Sequence, residues 1–152
     1  TGHLHARVVK VISSRAKVLG VERAEQAGIP TEVIARKSFS DWEEFASTTF
    51  DAIRRSGAQL VVLAGYMQLL QIPSDFENRV INVHPSLLPA FGGSGMYGIH
   101  VHEEVLKYGA KITGCTVHFV DHEYDHGPVI AQRAVEVREG DTPESLASRV
   151  QA

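Results

Sequence analysis

An α/β fold with a mainly parallel central sheet flanked by helices is what this sequence predicts, on three observations. Short apolar runs alternate with stretches of helical periodicity along the whole chain. Several of the runs are almost continuously apolar, as strands buried on both faces are. Glycine or proline punctuates nearly every change of period. At 152 residues the chain suits one domain with a real core, and it holds no repeat, low-complexity tract or linker.

In order, Arg7 to Ser14, with Val8, Val9, Val11 and Ile12, reads as the first strand. Val18, Val21, Ala24 and Ala27 then recur at helical steps, with Gly28 as the stop and Ile29-Pro30 as the exit. Thr31 to Ala35 is a short second strand. Ser40 with Glu43 forms a capping box for a helix through Trp42, Phe45, Phe50 and Ile53 to Gly57. Trp42 reads as packing rather than as an exposed stacking surface. Gln59 to Ala64 is the most apolar strand, and the apolar, exposed-looking loop Tyr66 to Leu70 follows it. A loop at the C-terminal end of a parallel strand is where α/β proteins place ligands. Arg79 to Val83 is the next strand. The loop Ala90 to Gly98 carries four glycines without the strand–GxGxxG–helix setting of a dinucleotide site, so it reads as mobile or tightly turning. Ile99 to Tyr108 is helical with Gly109 as its stop. Lys111 to Val120 and Pro128 to Val137 are strands whose short connection suits antiparallel pairing. Thr142-Pro143-Glu144 starts a last helix with a cap, a first-turn proline and an acid at the positive end of the dipole.

The composition is that of an ordinary soluble protein: 43% apolar, 22% charged, net charge −3. Without a Lys/Arg cluster, nucleic acid is not expected as a main partner. No apolar run approaches the roughly 20 residues of a membrane span, so no membrane partner is expected. The single Cys115 lies in a strand-like run and cannot form an internal disulfide, which favours a reducing, cytoplasmic compartment. Thr1 to His5 shows no signal-peptide pattern. Whether the chain is a monomer or a homodimer is left open.

Two stretches carry chemistry. Ile81-Asn82-Val83-His84-Pro85-Ser86-Leu87-Leu88-Pro89 leaves a strand with Asn82 and His84 on the same side of the backbone. Two prolines then fix the loop. An amide that donates beside an imidazole that moves protons near neutral pH suits acyl transfer. A turn-capping Asn and a backbone-satisfied His would also account for this nonapeptide. The second stretch, His118 to Pro128, leaves a strand through the acidic loop Asp121-His122-Glu123-Tyr124-Asp125 to a Gly127-Pro128 turn. With Asp125 and His84 each just beyond a strand, neighbouring strand ends bring carboxylate and imidazole within reach. A carboxylate there favours the charged imidazole and orients it. The scattered histidines, from His84 to His126, invite a metal site. They lack HExxH or Cys-pair spacing, so hydrogen bonding is the better reading. Ser86 lacks the GxSxG elbow of a serine hydrolase.

With Leu63-Ala64-Gly65-Tyr66-Met67 and Gly114 to Ile130, these motifs resemble the folate-dependent formyltransferases over nearly the whole chain, most closely the branch acting on glycinamide ribonucleotide. The resemblance implies a Rossmann-like formyltransferase fold. It also implies transfer of the formyl group of 10-formyltetrahydrofolate to the amino group of glycinamide ribonucleotide in de novo purine biosynthesis, without a metal. By the same likeness Asn82, His84 and Asp125 are the catalytic trio. Met67, Gln68, Leu69 and Leu70 with Asp121, His122, Glu123, Tyr124 and Asp125 hold the folate, and Pro85 meets the ribonucleotide. Asn82 doubles as a folate contact. Gln68 stands where many members carry an arginine, which implies a weaker hold on the acidic folate tail. Sister activities are formyltetrahydrofolate hydrolysis and formylation of methionyl-tRNA; a folate-binding fragment without turnover is the non-enzymatic alternative. The family's N-terminal glycine loop and its C-terminal segment have no counterpart in the sequence. The chain therefore reads as a single domain over residues 1–152, incomplete at both ends.

Overall fold

Strand β1 (Val11–Ser13) pairs in parallel with β2 (Thr31–Val33), and helix α1 (Leu19–Gln26) joins them. The computed structural model describes residues 5–152. Of the N-terminal stretch without a signal pattern, Thr1 to Leu4 lie outside the described residues. The chain divides between Gln59 and Leu60 into two compact units.

In the first unit α1 packs on the β1–β2 pair and buries Val21 and Ala24, two of the four positions that set its period. The sequence placed eight residues in the first strand, but regular pairing covers three. Val8 is 60% exposed, and β1 is half-buried rather than enclosed on both faces. Helix α2 (Trp42–Ser56) buries Phe45, Ala46, Thr49, Phe50, Ala52 and Ile53, the stripe expected of 3.6-residue spacing. Its cap is Asp41, whose carboxylate accepts from the Glu43 N–H, so the Ser40 capping box does not form. Asp and Ser have the same capping chemistry, and the helix simply starts one residue later. Gly57 ends it in the left-handed conformation. Trp42 is 44% exposed, with the Arg36 guanidinium 4.0 Å above its ring and Phe45 edge-on beneath. It is a stacked surface residue, contrary to the packing expectation, because first-turn position leaves one ring face outward.

The second unit is built on a four-stranded sheet in the order β3 (Val61–Leu63), β4 (Val80–His84), β5 (Ile112–Phe119), β6 (Val129–Glu136). β3 and β4 are parallel, whereas β4–β5 and β5–β6 are antiparallel, the latter as the short acidic connection predicts. Helix α3 (Ile99–Tyr108) ends at left-handed Gly109. It packs against α4 (Pro143–Gln151), which begins with a reciprocal Thr142–Ser145 capping box. Val105, Leu146 and Val150 form the core between them, with Cys115, Val135 and Val137 of the sheet side packed on it. Arg149 grips Asp141 through both guanidinium nitrogens and holds that carboxyl well below the usual range. Among the described residues no helix is long and apolar enough to cross a membrane.

Candidate active site

The site grows from the end of β4. Side chains alternate along a strand, so Asn82 and His84 leave the same face while Val83 points away. His84 is the last residue of β4, one position further into the strand than the sequence suggested, and is 2% exposed. Its Nε2–H donates to the Phe91 carbonyl at 2.8 Å. Its Nδ1 lies 3.3 Å from Asp125 Oδ1. Each ring nitrogen thus faces an oxygen acceptor.

Asp125 sits in the loop between β5 and β6 with φ 54, a left-handed backbone that a non-glycine residue holds only when its surroundings fix it. The fixing is visible. A Cβ on Gly127 would lie 2.0 Å from the Phe119 carbonyl oxygen, so only glycine lets the loop close this tightly on β5. Asp121 accepts from the Glu123 N–H at 2.8 Å and from His126 Nδ1 at 2.6 Å, clasping the loop's outer side. That pair raises the His126 pKa. The Gly93 N–H donates to Asp125 Oδ2 at 3.0 Å. Burial pushes the Asp125 carboxyl up. The hydrogen bond and charge of His84, the Gly93 N–H and the more distant His118 outweigh that push and hold it below its ordinary value.

Asn82 Nδ2 donates to Asp125 Oδ1 at 3.3 Å and to His118 Nε2 at 3.2 Å. His118 is opposite Asn82 in the antiparallel register, and its Nδ1–H donates to the Phe119 carbonyl at 2.8 Å, so in the neutral ring Nε2 is the acceptor for the Asn82 amide. The asparagine amide is therefore aimed by two partners at long, exchangeable distances. Behind the cluster His102 of α3 is buried, and burial with the nearby His84 charge lowers its pKa.

A cavity of about 390 Å³ opens over these groups. Met67, Tyr97 and Tyr124 supply apolar wall, Asn82, His84 and Asp125 the polar end, and Gly93 to Gly98 a backbone rim; Pro85 also lines it. Of the residues singled out from the sequence, the fold brings Asn82, His84 and Asp125 into one hydrogen-bonded cluster. It adds Met67, Pro85 and Tyr124 at the cavity. Gln68, Leu69, Leu70, Asp121, His122 and Glu123 are not among its lining. Leu70 is 2% exposed, a core residue rather than the exposed apolar side chain expected. Sequence reading missed His118, the Phe91 carbonyl, the Gly93 amide and Tyr97. Only His118 had a signal, since pairing the two motif strands antiparallel puts it across from Asn82. Among the described residues no group of three or more His, Cys, Asp or Glu is placed to hold a metal ion.

A donor amide, an imidazole and a carboxylate that converge on one cavity are an arrangement suited to acid–base chemistry at an acyl-type carbon. The sequence profile of the Formyl transferase family matches residues 1–152. The chain belongs to that family. A chloroplastic phosphoribosylglycinamide formyltransferase of Arabidopsis thaliana is 44% identical over 153 residues, covering 98% of this chain and 52% of the relative. The trifunctional purine biosynthetic protein adenosine-3 of Gallus gallus is 44% identical over 95% of this chain and 14% of its own length. The chain thus spans about half, or much less, of these curated relatives. Glycinamide ribonucleotide transformylase 1 from Symbiobacterium toebii superposes with TM-score 0.86 at 42% identity, over 95% of this chain and 66% of that one. Phosphoribosylglycinamide formyltransferase from Bacillus halodurans superposes with TM-score 0.87 at 35% identity, over 97% and 75%. The α/β fold expected from the sequence is therefore the fold of solved formyltransferases.

Proposed function

We propose that this chain transfers the formyl group of 10-formyltetrahydrofolate to the amino group of glycinamide ribonucleotide, a step of de novo purine biosynthesis. The observation that carries the reading is the Asn82–His84–Asp125 cluster at the polar end of a cavity walled by Met67, Tyr97 and Tyr124. Its relatives' names point the same way. A volume near 390 Å³ lies in the range of small-molecule sites, and apolar side chains beside a convergent polar cluster suit a heterocycle with hydrogen-bonding edges. The residues present fit a formylfolate. When bound, it supplies a formyl carbon attached to a nitrogen that can leave.

The protein's own contributions follow from the geometry. Asn82 releases one of its two long hydrogen bonds and donates to the oxygen that gains charge as the acceptor amine adds. His84, held through Nε2 by the Phe91 carbonyl, presents Nδ1 toward Asp125 and the reacting centre. Asp125 stabilises charge on His84 and relays the amine's proton, directly or through a water, to the nitrogen that leaves as its bond to the formyl carbon breaks. An acceptor amine with an ordinary pKa of about 8 is partly neutral at physiological pH, so no strong base is required. Direct transfer also needs no protein nucleophile. Of the expected folate residues, Met67, Tyr124 and Asp125 line the cavity itself; the rest of Met67 to Leu70 and Asp121 to Asp125 would meet the folate beyond it, largely through backbone groups, and Pro85 would meet the ribonucleotide. The profile match across residues 1–152 supports treating the chain as one formyltransferase domain. The reading includes small-molecule partners rather than nucleic acid or membrane, and a cytoplasmic setting. Support for the latter is a lone free Cys115.

The test is the absorbance change on deformylation of 10-formylfolate, with and without glycinamide ribonucleotide. Turnover that requires the ribonucleotide is the expected result. Turnover without it points to a hydrolase, and no turnover with measurable folate binding would overturn the transferase reading.

A further inference from the structure

On the same sheet face as Asn82 and His84, a second polar cluster lies beside the first. Thr116 of β5 is opposite His84 in register, fully buried, and opposite Gln132 of β6. Hydrogen-bond roles here are forced by chemistry. Carbonyls only accept, so the Thr116 hydroxyl donates to Ser86 O at 2.7 Å and the Gln132 amide nitrogen donates to Leu88 O at 2.9 Å. The Leu88 N–H donates to Thr116 Oγ1 at 3.0 Å, and the second Gln132 N–H reaches the same oxygen at 3.0 Å. Every donor on the Gln132 amide and the Thr116 hydroxyl is used. One step on, the buried Ser86 hydroxyl donates to Ala90 O at 2.6 Å. The segment thus tied down runs from His84 to Phe91, whose backbone is left-handed at φ 53 and whose carbonyl receives the His84 Nε2–H. A strained carbonyl of this kind keeps its direction only while the surrounding bonds persist.

We propose that Gln132 is a positioning residue for the formyl transfer inferred above, holding the 86–91 segment through Leu88 and Thr116 so that the Phe91 carbonyl fixes the His84 ring. The inference rests on that reading of the site for its kinetic consequence, but not for its structural one. Gln132 touches no reacting atom; it acts only through the segment.

The test uses Gln132→Met, nearly isosteric but without donors, and Gln132→Glu, which sets a carboxylate against Leu88 O. Thr116→Ser keeps the hydroxyl and serves as the conservative rescue, beside Thr116→Val. The first readout is the His84 Nε2–H resonance and its solvent exchange by NMR, independent of activity. Cooperative melts confirm folding. In Gln132→Met and Thr116→Val the ring proton shifts and exchanges at least about tenfold faster, while Thr116→Ser resembles the parent. The second readout is kinetic. Misplacing a catalytic group by about 1 Å costs on the order of 100-fold. kcat therefore falls roughly 10- to 100-fold on that principle with little change in KM for the formyl donor. An unchanged ring proton in both Gln132 variants overturns the proposal, as does a loss of rate expressed only in KM. If the parent chain shows no transfer, the functional reading fails, and the ring proton alone still decides whether Gln132 positions His84.

Discussion

Replacing Asp125 by Asn isolates one carboxylate charge with little else disturbed. The residue stands at φ 54, and Asn accepts a left-handed backbone as readily as Asp, so no new strain enters. The two carboxylate oxygens face three groups: Asn82 Nδ2 and His84 Nδ1 at 3.3 Å from Oδ1, and the Gly93 N–H at 3.0 Å from Oδ2. An amide keeps only one oxygen. Turned toward Gly93, it sets its own N–H groups against Asn82 and His84; turned the other way, it opposes the Gly93 N–H. Losing one charge-assisted hydrogen bond to the imidazole removes about 1.5–3 kcal/mol. At 1.36 kcal/mol per tenfold in rate, kcat falls roughly 10- to 150-fold. The assay is the initial rate of formylfolate-dependent transfer at saturating substrates, paired with thermal melts. The acid arm has a definite sign. Asp125 ionises below its unfolded value, so its carboxylate stabilises the fold above about pH 4. That contribution disappears as pH falls through the folded pKa, and the gap between parent and Asn variant narrows on acidification. A variant within about threefold of the parent kcat, with an unchanged melt at pH 7, would remove Asp125 from the mechanism.

Three further outcomes are expected. Gly127→Ala drives its Cβ into the Phe119 carbonyl, and overpacking of this kind costs about 1–3 kcal/mol, read as a lower urea midpoint with loss of transfer. Phe50→Ala, at a side chain 1% exposed, costs about 3–5 kcal/mol in the same measurement. Asp141→Asn breaks the Arg149 clamp. Because the Asp141 carboxyl is held far below its unfolded value, the variant is less stable than the parent at pH 7. The difference fades as pH drops below about 4, as chemical denaturation at the two pH values will show.

The parts of this fold that announce themselves are those with local causes. Gly109 and Thr142 mark their helix ends because left-handed backbone and capping oxygens are properties of single residues. Asn82 and His84 were legible because strand alternation alone puts them on one side. The Asp41 cap was missed for a local reason too: two adjacent residues offer the same chemistry. Other features depend on tertiary register. His118 enters the site only because β5 runs antiparallel to β4 with that residue opposite Asn82. The Phe91 carbonyl and Gly93 amide are backbone groups, which every residue carries and no side chain advertises. Trp42 is half-exposed with the Arg36 guanidinium stacked on its ring, a contact set by how the 36–38 turn meets α2 rather than by any pattern in its neighbours.

The alternation of β5 has a consequence for how the chain can go wrong. Thr116 and His118 face the site strands, with Val117 between them facing away. A slip of one residue between β4 and β5 would carry Val117 opposite Asn82 or His84. That shift would release the asparagine amide and untie the Ser86–Leu88 segment at once. A misregistered sheet would therefore be inert as well as unstable. On the proposed function, transfer activity in a refolded sample would therefore report correct strand alignment as well as folding.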